Sequence, residues 1–349
     1  MLPGPVHPVP GPVAGYVGAD VPVELLTAAG YTPVRLAGSP SEDASPGRAY
    51  LGGGLDPVAC SILTRLLAGT YGPLDVLVVS RDCEASLRLF YVLRELHRVT
   101  DVALPPVHLV DVLHLPHRTT TRYVLAKVRE FRSWLGGVDD AALADAVVAH
   151  DRLRARVREI GALRAQRRLT GTEMLDVVRT ACTRPVAEVL PLLDTLLTEL
   201  AERPARPGHP IHLTGSSHDD PAVYAALEDA GLLVVGEDHD RGDLWALGDV
   251  GLPDPGRLEL ALAERYQSAG PAAPRASIRD RAAHTAAAVR DRGAEGLLSY
   301  VRRFDDGPPW DFPAQRAAAG VPAVLVDRQD YGGVDAARVV RELHLAVAA

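Results

Sequence analysis

Lysine is nearly absent from this sequence of 349 residues, and Lys127 is the only one. A phosphate-binding P-loop needs a Gly-Lys-Ser/Thr triplet, and the sequence contains none. Lys127 lies in a stretch predicted to form a charged helix, which is a poor setting for a desolvated Schiff-base lysine. The composition therefore argues against both of these lysine-dependent chemistries.

Cysteine is also scarce, with Cys60, Cys83 and Cys182 as the only three. No two of them have the close CxxC spacing of zinc and redox motifs. A disulfide framework is typical of small secreted chains and is not expected in a protein of this size. Each cysteine must therefore be assessed separately.

Long apolar runs and excess positive charge are missing as well. No stretch approaches the roughly 18–20 apolar residues that span a bilayer, and no basic segment followed by an apolar run opens the chain. The net charge is -8, with arginines scattered among carboxylates, which argues against nucleic acid as a main partner. We expect a cytoplasmic protein that binds neither membranes nor nucleic acid.

The stretch Leu74–Leu96 contains an apolar run, a polar turn at residues 80–83 and then apolar residues at helical spacing. This pattern predicts a strand, a turn and a helix. Elsewhere, three predicted helices begin near a proline and end on an Ala-Gly pair, at Gly30, Gly231 and Gly320. Each is followed by an apolar stretch that predicts a strand. Strands that alternate with short helices predict two doubly wound parallel-sheet domains of the flavodoxin or Rossmann type, an α/β fold.

Residues between the two halves read as helix almost throughout and predict a helical insertion. With 47% hydrophobic residues, the chain can form several cores. The predicted organisation is an irregular arm at 1–15, a first α/β domain at 16–118, a helical region at 119–204 and a second α/β domain at 205–349.

Polar residues at predicted helix starts suggest where several helices begin. Thr170 and Glu173 have the spacing of a capping box. Asp20, Asp219 and Asp220 each precede a predicted helix and are interpreted as helix caps.

Two polar turns carry the candidate chemistry. Cys83 begins a helix, where the helix N-terminus lowers a thiol pKa, so it is a candidate nucleophile or metal ligand. Arg81 is a candidate substrate-binding group, because a guanidinium can neutralise an enolate or a phosphate. The alternatives are an inherited cysteine without a partner and an arginine paired with Asp82 or Glu84 at the surface.

The second polar turn, Gly215-Ser216-Ser217-His218, follows a predicted strand and precedes a helix. Backbone amides at such a turn favour an anionic group, which makes Gly215 a candidate substrate-binding residue. Ser216, Ser217 and His218 are candidate catalytic residues, since the hydroxyls can bond a substrate carbonyl and the imidazole can transfer a proton. The alternative for His218 is a solvated loop histidine.

Five stretches, in order along the chain, together resemble the 2-hydroxyacyl-CoA dehydratases and the related benzoyl-CoA reductases. The resemblance runs from about Gly15 to the end of the chain. The stretches read GY…VPVELLTAAGYTPVRL, LDVLVVSRDCEASLRL, LHLPHRTTTRYVLAKVREFRSWL, LTGSSHDDPAVYAALEDAGLLVVGED and YVRRFDDGPPWDFPAQRAAAGVPAVLVDRQDYG.

This resemblance implies a metal site in which most cysteines have been replaced. In that family each subunit holds an iron–sulfur cluster through three cysteines. Cys83 is in register with one of them, Asp305 stands where relatives read Phe-Cys-Asp-Pro, and Gly18 and Asp56 stand where relatives commonly have cysteine. Cys60, about one helical turn from Asp56, is a possible substitute ligand.

The resemblance also implies an acyl-CoA or another acyl-thioester as substrate and a dimer with a like or related subunit. An ATP-dependent activator is expected only if a cluster is kept. The cofactor alternatives are a [4Fe-4S] cluster, a single metal ion at Cys83, Asp305 and Asp56, and no cofactor. The corresponding functions are a dehydratase-like enzyme with an altered or missing cluster, a non-catalytic partner subunit, and a redox-free enzyme with one metal ion.

Overall fold

A computed structural model describes residues 11–254, 256–268, 270–272 and 275–348, except for the side chains of 345–348. Two four-stranded parallel sheets with flanking helices make up its α/β architecture. This confirms the predicted α/β class with two parallel-sheet domains. No helix among the described residues is long and apolar enough to cross a membrane.

The first sheet has the strand order β2-β1-β3-β4 and is parallel throughout. Its elements are β1 (Val13–Val17), α1 (Val23–Ala28), β2 (Thr32–Arg35), α2 (Ser45–Leu51), α3 (Pro57–Leu67), β3 (Val76–Ser80), α4 (Glu84–Val99) and β4 (Val107–Val110). All five β3 residues are buried, because helices cover both faces of the sheet. The predicted strand, turn and helix at Leu74–Leu96 are thus confirmed.

Four helices separate the two sheets. They are α5 (Arg118–Trp134), α6 (Asp140–Ala165), α7 (Gly171–Ala181) and α8 (Val186–Glu202). Thr170 and Glu173 form the predicted capping box at the start of α7. Cys182 ends α7 and is buried in the apolar core that α6, α7 and α8 share, where it packs as a small apolar side chain.

The second sheet repeats the order of the first, as β6-β5-β7-β8. Its elements are β5 (His209–Gly215), α9 (Ala222–Asp229), β6 (Leu232–Glu237), a 3-10 turn (Asp243–Ala246), α10 (Leu258–Gln267), α11 (Ile278–Arg292), β7 (Gly296–Arg302), α12 (Gly307–Ala319), β8 (Ala323–Gln329) and α13 (Ala336–Ala348). In both sheets the strand order reverses beside the first strand of the domain. Open parallel sheets bind ligands at such reversals.

The predicted irregular arm needs correction at its end. Strand β1 begins at Val13 and pairs with β2, so residues 13–15 belong to the first sheet. Residues 1–10 of that arm lie outside the described residues. The sequence pattern missed this strand because the stretch is short and rich in proline and glycine, which weakens any strand periodicity.

Two of the predicted helix caps are wrong. Asp20 is fully buried and pairs with Arg275 at 2.5 Å and with His114 at 3.0 Å. Asp219 accepts hydrogen bonds from the Gly38 amide and from the Tyr331 hydroxyl. Both aspartates therefore bond to residues distant in the chain. Asp220 does accept a hydrogen bond from the Ala222 amide at the start of α9.

Candidate active site

A cavity of about 490 Å³ lies between the carboxyl ends of the two sheets. The first domain contributes the segments that follow β1, β2 and β3, and the second contributes those that follow β5, β6 and β7. Each strand order reverses between two of these segments, after β1 and β3 in the first sheet and after β5 and β7 in the second. The carboxyl ends of both parallel sheets, where such sheets bind ligands, therefore border the same cavity.

Cys83 lines this cavity and caps α4. Its Sγ accepts a hydrogen bond from the Ser86 amide at 3.4 Å and lies 3.3 Å from the Ser86 hydroxyl. Desolvation by the cavity wall, with the adjacent Asp82 carboxylate, raises the pKa of the Cys83 thiol to about 12, although the residue is exposed on that wall. The expectation that the helix N-terminus would lower this pKa is therefore wrong, because desolvation and the neighbouring carboxylate outweigh the helix.

Asp56 pairs with Arg302 across the cavity, joining the two domains. The Arg302 guanidinium donates to both Asp56 carboxylate oxygens, through Nη2 at 2.8 Å and Nε at 3.2 Å. Asp56 also caps α3 by accepting from the Val58 amide, and Arg302 donates to the Ser217 carbonyl. This bidentate geometry occupies the carboxylate that the sequence offered as a metal ligand.

Asp305, which also lines the cavity, is held by Ser216. The Ser216 hydroxyl donates to the Asp305 carboxylate at 2.6 Å and accepts from the Arg302 amide at 2.9 Å. Burial raises the pKa of the Asp305 carboxyl, although the Ser216 bond and the nearby Arg302 act in the opposite direction. Asp305 is thus a carboxyl group that can exchange a proton with a bound molecule.

Of the other residues predicted in the second polar turn, some lie on the cavity wall and one does not. Gly215 and Ser217 line the cavity. His218 is buried against the rings of Tyr224, His239 and Tyr300, and burial holds its pKa well below the usual range. It does not line the cavity, so its surroundings do not support the predicted acid–base role.

Arg81 and Cys60 also lie away from the cavity. Arg81 has a half-exposed side chain and pairs with Asp111 at 3.3 Å, so its partner is neither Asp82 nor Glu84, the two expected from the sequence. Cys60 is on α3, about one turn from Asp56 as expected, but it is only 1% exposed and packs in the core. Burial raises the pKa of its thiol. Cys60 is therefore not placed to substitute for a ligand in the cavity.

Gly18, the other position at which the resemblance implies a cysteine, has no room for a side chain. Its φ is +92°, and a Cβ placed there would lie 2.0 Å from the Ser80 hydroxyl and 2.8 Å from a carboxylate oxygen of Asp82. The Ser80 hydroxyl cannot move freely, because it accepts a hydrogen bond from the Asp20 amide. A cysteine at this position would require both backbone strain and a shift of Ser80.

The residues present do not fit a [4Fe-4S] cluster held by three thiolates. Cys83 is the only thiol on the described cavity wall, and Asp56 is already paired with a protein cation. Nor does any group of three histidine, cysteine or acidic side chains within the described ranges meet the geometry of a metal site. Metal binding by Cys83, Asp305 and Asp56 stays a prediction from sequence, and the Asp56–Arg302 pair opposes it.

Several cavity residues were missed in the sequence. Asp82, Asp240, Arg241 and Arg275 all line the wall. The sequence could have indicated Asp82 as a site residue, because it lies in the same turn as Cys83. The others come from segments of the second domain with no recognisable motif, and their partners are far away in sequence. Asp240, for example, pairs with Arg35 at the end of β2.

The fold and cavity together define a two-domain α/β protein with a site between paired sheet edges. Residues 19–339 match the family model described as 2-hydroxyglutaryl-CoA dehydratase, D-component. The match covers most of the chain, which therefore belongs to this family. No curated protein matches the chain significantly.

Proposed function

We propose that this chain is a cluster-free component of a 2-hydroxyacyl-CoA dehydratase-type system, and that it binds an acyl thioester in the cavity between its two α/β domains. The observation that carries the proposal is the Asp56–Arg302 ion pair, with its 2.8 Å contact across the cavity. A protein guanidinium stands beside one former cysteine position, and Gly18 excludes a thiol at another. One-electron chemistry at this cavity is therefore not part of the proposed function.

The remaining groups are suited to proton transfer on a bound acyl group. Asp305 is a carboxyl with a raised pKa, and the Ser216 hydroxyl orients it. The Ser217 carbonyl is fixed by Arg302. A thioester carbonyl acidifies the proton on the adjacent carbon, and a carboxyl group beside that carbon can take the proton up and return it. In the proposed function Asp305 exchanges this proton with the bound acyl group, and Ser216 positions Asp305.

Anaerobic purification with quantification of iron, sulfide and zinc tests the first half of this proposal. We expect each to be well below one per chain, both in the wild type and in Cys83→Ser. Iron and sulfide near about four per chain, lost in Cys83→Ser, would overturn the cluster-free assignment.

Calorimetric titration with acyl-CoA thioesters tests the second half. We expect binding of a thioester that free CoA does not reproduce, and a loss of at least about tenfold in affinity in Arg302→Met, since the Asp56–Arg302 pair shapes the cavity. Arg303→Met is the matched control, because Arg303 is exposed and pairs with Asp330 outside the cavity wall. Equal affinities in the two variants would count against the proposed binding site.

The same loss of cysteines favours a second role, that of a non-catalytic partner subunit. In that case a related, cysteine-complete chain would carry the reaction, and this chain would complete the dimer. Co-expression of the two chains discriminates the roles. A pair that is active only when this chain is present, while Asp305→Asn changes nothing, would support the partner role over the catalytic one.

A further inference from the structure

Phe304 on the cavity wall combines two unfavourable features. Its φ is +72°, a left-handed conformation that large side chains rarely adopt. Its apolar side chain is 48% exposed, and it packs into none of the apolar clusters formed by the described residues. The packing of the fold therefore gives no reason for a phenylalanine at this position.

The strained backbone of Phe304 belongs to a tight turn that follows β7. The Asp305 amide donates to the Arg302 carbonyl at 3.1 Å, and the Arg303 amide donates to the Gln329 carbonyl at 2.9 Å. Phe304 is the third residue of this turn, where a positive φ favours glycine or asparagine. A glycine would thus allow the same hydrogen bonds without strain. Residues that keep such strain are concentrated at functional sites.

Phe304 directly precedes Asp305, the carboxyl group that exchanges a proton in the proposed function. Consecutive Cα atoms are only about 3.8 Å apart, and both residues line the cavity. A molecule bound at the Asp305 carboxyl therefore passes close to Phe304.

The part of the cavity wall that Phe304 contributes is apolar. No other phenylalanine, tyrosine or tryptophan is found on the described cavity wall. Helix α3 of the first domain adds the apolar side chains of Val58, Ala59 and Ile62 to the same wall. Carbon chains gain free energy from contact with such groups, because apolar surface is removed from water on both sides.

We infer that Phe304 is a specificity-determining residue, whose ring covers the apolar chain of the acyl group bound at Asp305. The exposed ring and the strained backbone both then have a reason, since a glycine would relieve the strain but lose the contact. The gain from this contact increases with the length of the acyl chain. The inference rests on the proposed function and assigns one determinant of its substrate selectivity.

Calorimetric titration of the full chain with acetyl-CoA and hexanoyl-CoA tests this inference. We expect the wild type to bind hexanoyl-CoA at least about tenfold more tightly, because four more carbons are covered. In Phe304→Gly this ratio should shrink at least about fivefold, while the affinity for acetyl-CoA stays within about twofold of wild type. A ratio near one in the wild type, an unchanged ratio in the variant, or equal losses for both thioesters would overturn the inference.

Urea unfolding supplies a readout that a purely structural role would move in the opposite direction. Phe304→Gly should unfold at a urea concentration at least as high as the wild type, because glycine adopts a positive φ without strain. Phe304→Ala keeps the strain and lacks the ring, so it should lose the hexanoyl preference equally and unfold at lower urea than Phe304→Gly. A Phe304→Gly protein less stable than Phe304→Ala would show that the ring serves the fold.

Two control variants match the separate features of Phe304, and neither residue is on the described cavity wall. Arg328→Gly relieves a positive φ of +55° at a side chain that is 84% exposed. Trp310→Ala removes an aromatic ring that is 76% exposed. Both variants should keep the affinity ratio within about twofold of the wild-type value. A loss in either control as large as that in Phe304→Gly would count against a specific contact.

Acyl amides without CoA separate failure of this inference from failure of the proposed function. The probes are acetamide and hexanamide, followed by ligand-observed NMR. If the thioesters do not bind but hexanamide binds and is lost in Phe304→Gly, thioester binding is wrong and the contact stands. If the thioesters bind with a ratio that Phe304→Gly leaves unchanged, the inference is wrong and the proposed binding stands. If neither series binds, both are wrong.

Discussion

The two α/β domains share one strand order but differ in what lies behind their cavity-facing edges. In the first, the buried carboxylate lies on a helix, where Glu24 of α1 is bound by the Arg154 guanidinium and the Tyr266 hydroxyl. Behind the second, Glu237 at the end of β6 is buried with the Arg164 guanidinium, the Tyr224 hydroxyl and the His239 ring. The shared topology therefore determines where the cavity lies, whereas the position of the buried carboxylate, on a helix in the first domain and on a strand in the second, distinguishes the two domains.

The largest expected effect breaks this buried network in the second domain. Arg164 and Glu237 are both 0% exposed and lie 2.7 Å apart. Arg164→Met leaves the carboxylate buried without its cation, and we expect a loss of about 3–5 kcal/mol in the free energy of unfolding, measured with urea. The exposed pair Arg88–Glu84 is the control, for which Arg88→Met should cost below about 1 kcal/mol. Similar losses in the two variants would contradict the expected difference between the buried and the exposed ion pair.

Paired glycine substitutions sharpen the comparison. Gly18 and Gly215 follow or end the first strand of their domains, with φ of +92° and +106°. A Cβ would meet a side-chain hydroxyl at 2.0 Å in the first case and a backbone carbonyl at 2.1 Å in the second. Because a backbone carbonyl cannot rotate away, we expect Gly215→Ala to cost about 3 kcal/mol beyond simple strain and Gly18→Ala about 1–2 kcal/mol.

The controls for this prediction are Gly30→Ala and Gly231→Ala. Both glycines have φ of +87° and open space around the missing Cβ, so these variants report backbone strain alone. The free energies of unfolding of all four variants are compared by thermal and urea unfolding. A Gly18→Ala protein as stable as Gly30→Ala would show that Ser80 moves aside freely and that a side chain fits there after all.

A smaller, pH-dependent effect is expected on the side of the first domain. His150 on α6 is buried against Thr27 at 2.8 Å, and burial lowers its pKa from 6.5 to about 4. Below pH 6.5 the unfolded chain binds a proton that the folded chain does not, so the free energy of unfolding falls. The contribution should approach about 2–3 kcal/mol near pH 4.

Urea unfolding of His150→Gln between pH 7 and pH 4 measures this contribution. The variant should lose less stability over that interval than the wild type, because it has no group to protonate at this site. His97→Gln, an exposed histidine on α4, should follow the wild-type curve. If His150→Gln and the wild type had parallel curves, the buried imidazole would not be the cause.

Local patterns predicted the elements of this fold well. The strand, turn and helix around Cys83, the capping box at Thr170 and Glu173, and the helical stretch between the sheets depend on residues close in sequence. Hydrophobic periodicity and cap chemistry act over one or two turns, and a single sequence contains that information.

The partners of the site residues were not predictable in the same way. Asp56 and Arg302 are 246 positions apart, and Asp20 pairs with Arg275. An aspartate before a helix looks like a cap whether or not a guanidinium from another domain reaches it. His218 shows the same limit, since a polar turn predicted solvent exposure and tertiary packing buried the ring. The local structure around single residues could thus be predicted from the sequence, whereas the pairing of residues from different domains could not.

Helix α6 runs for 26 residues, about 39 Å, and contacts both domains through buried arginines. Arg154 pairs with Glu24 of α1 at 2.8 Å, and Arg164 pairs with Glu237 of β6. Unfolding of either domain would leave one of these buried arginines without its carboxylate partner. We therefore expect the two domains to unfold together, because a buried guanidinium of α6 without its carboxylate is strongly destabilising.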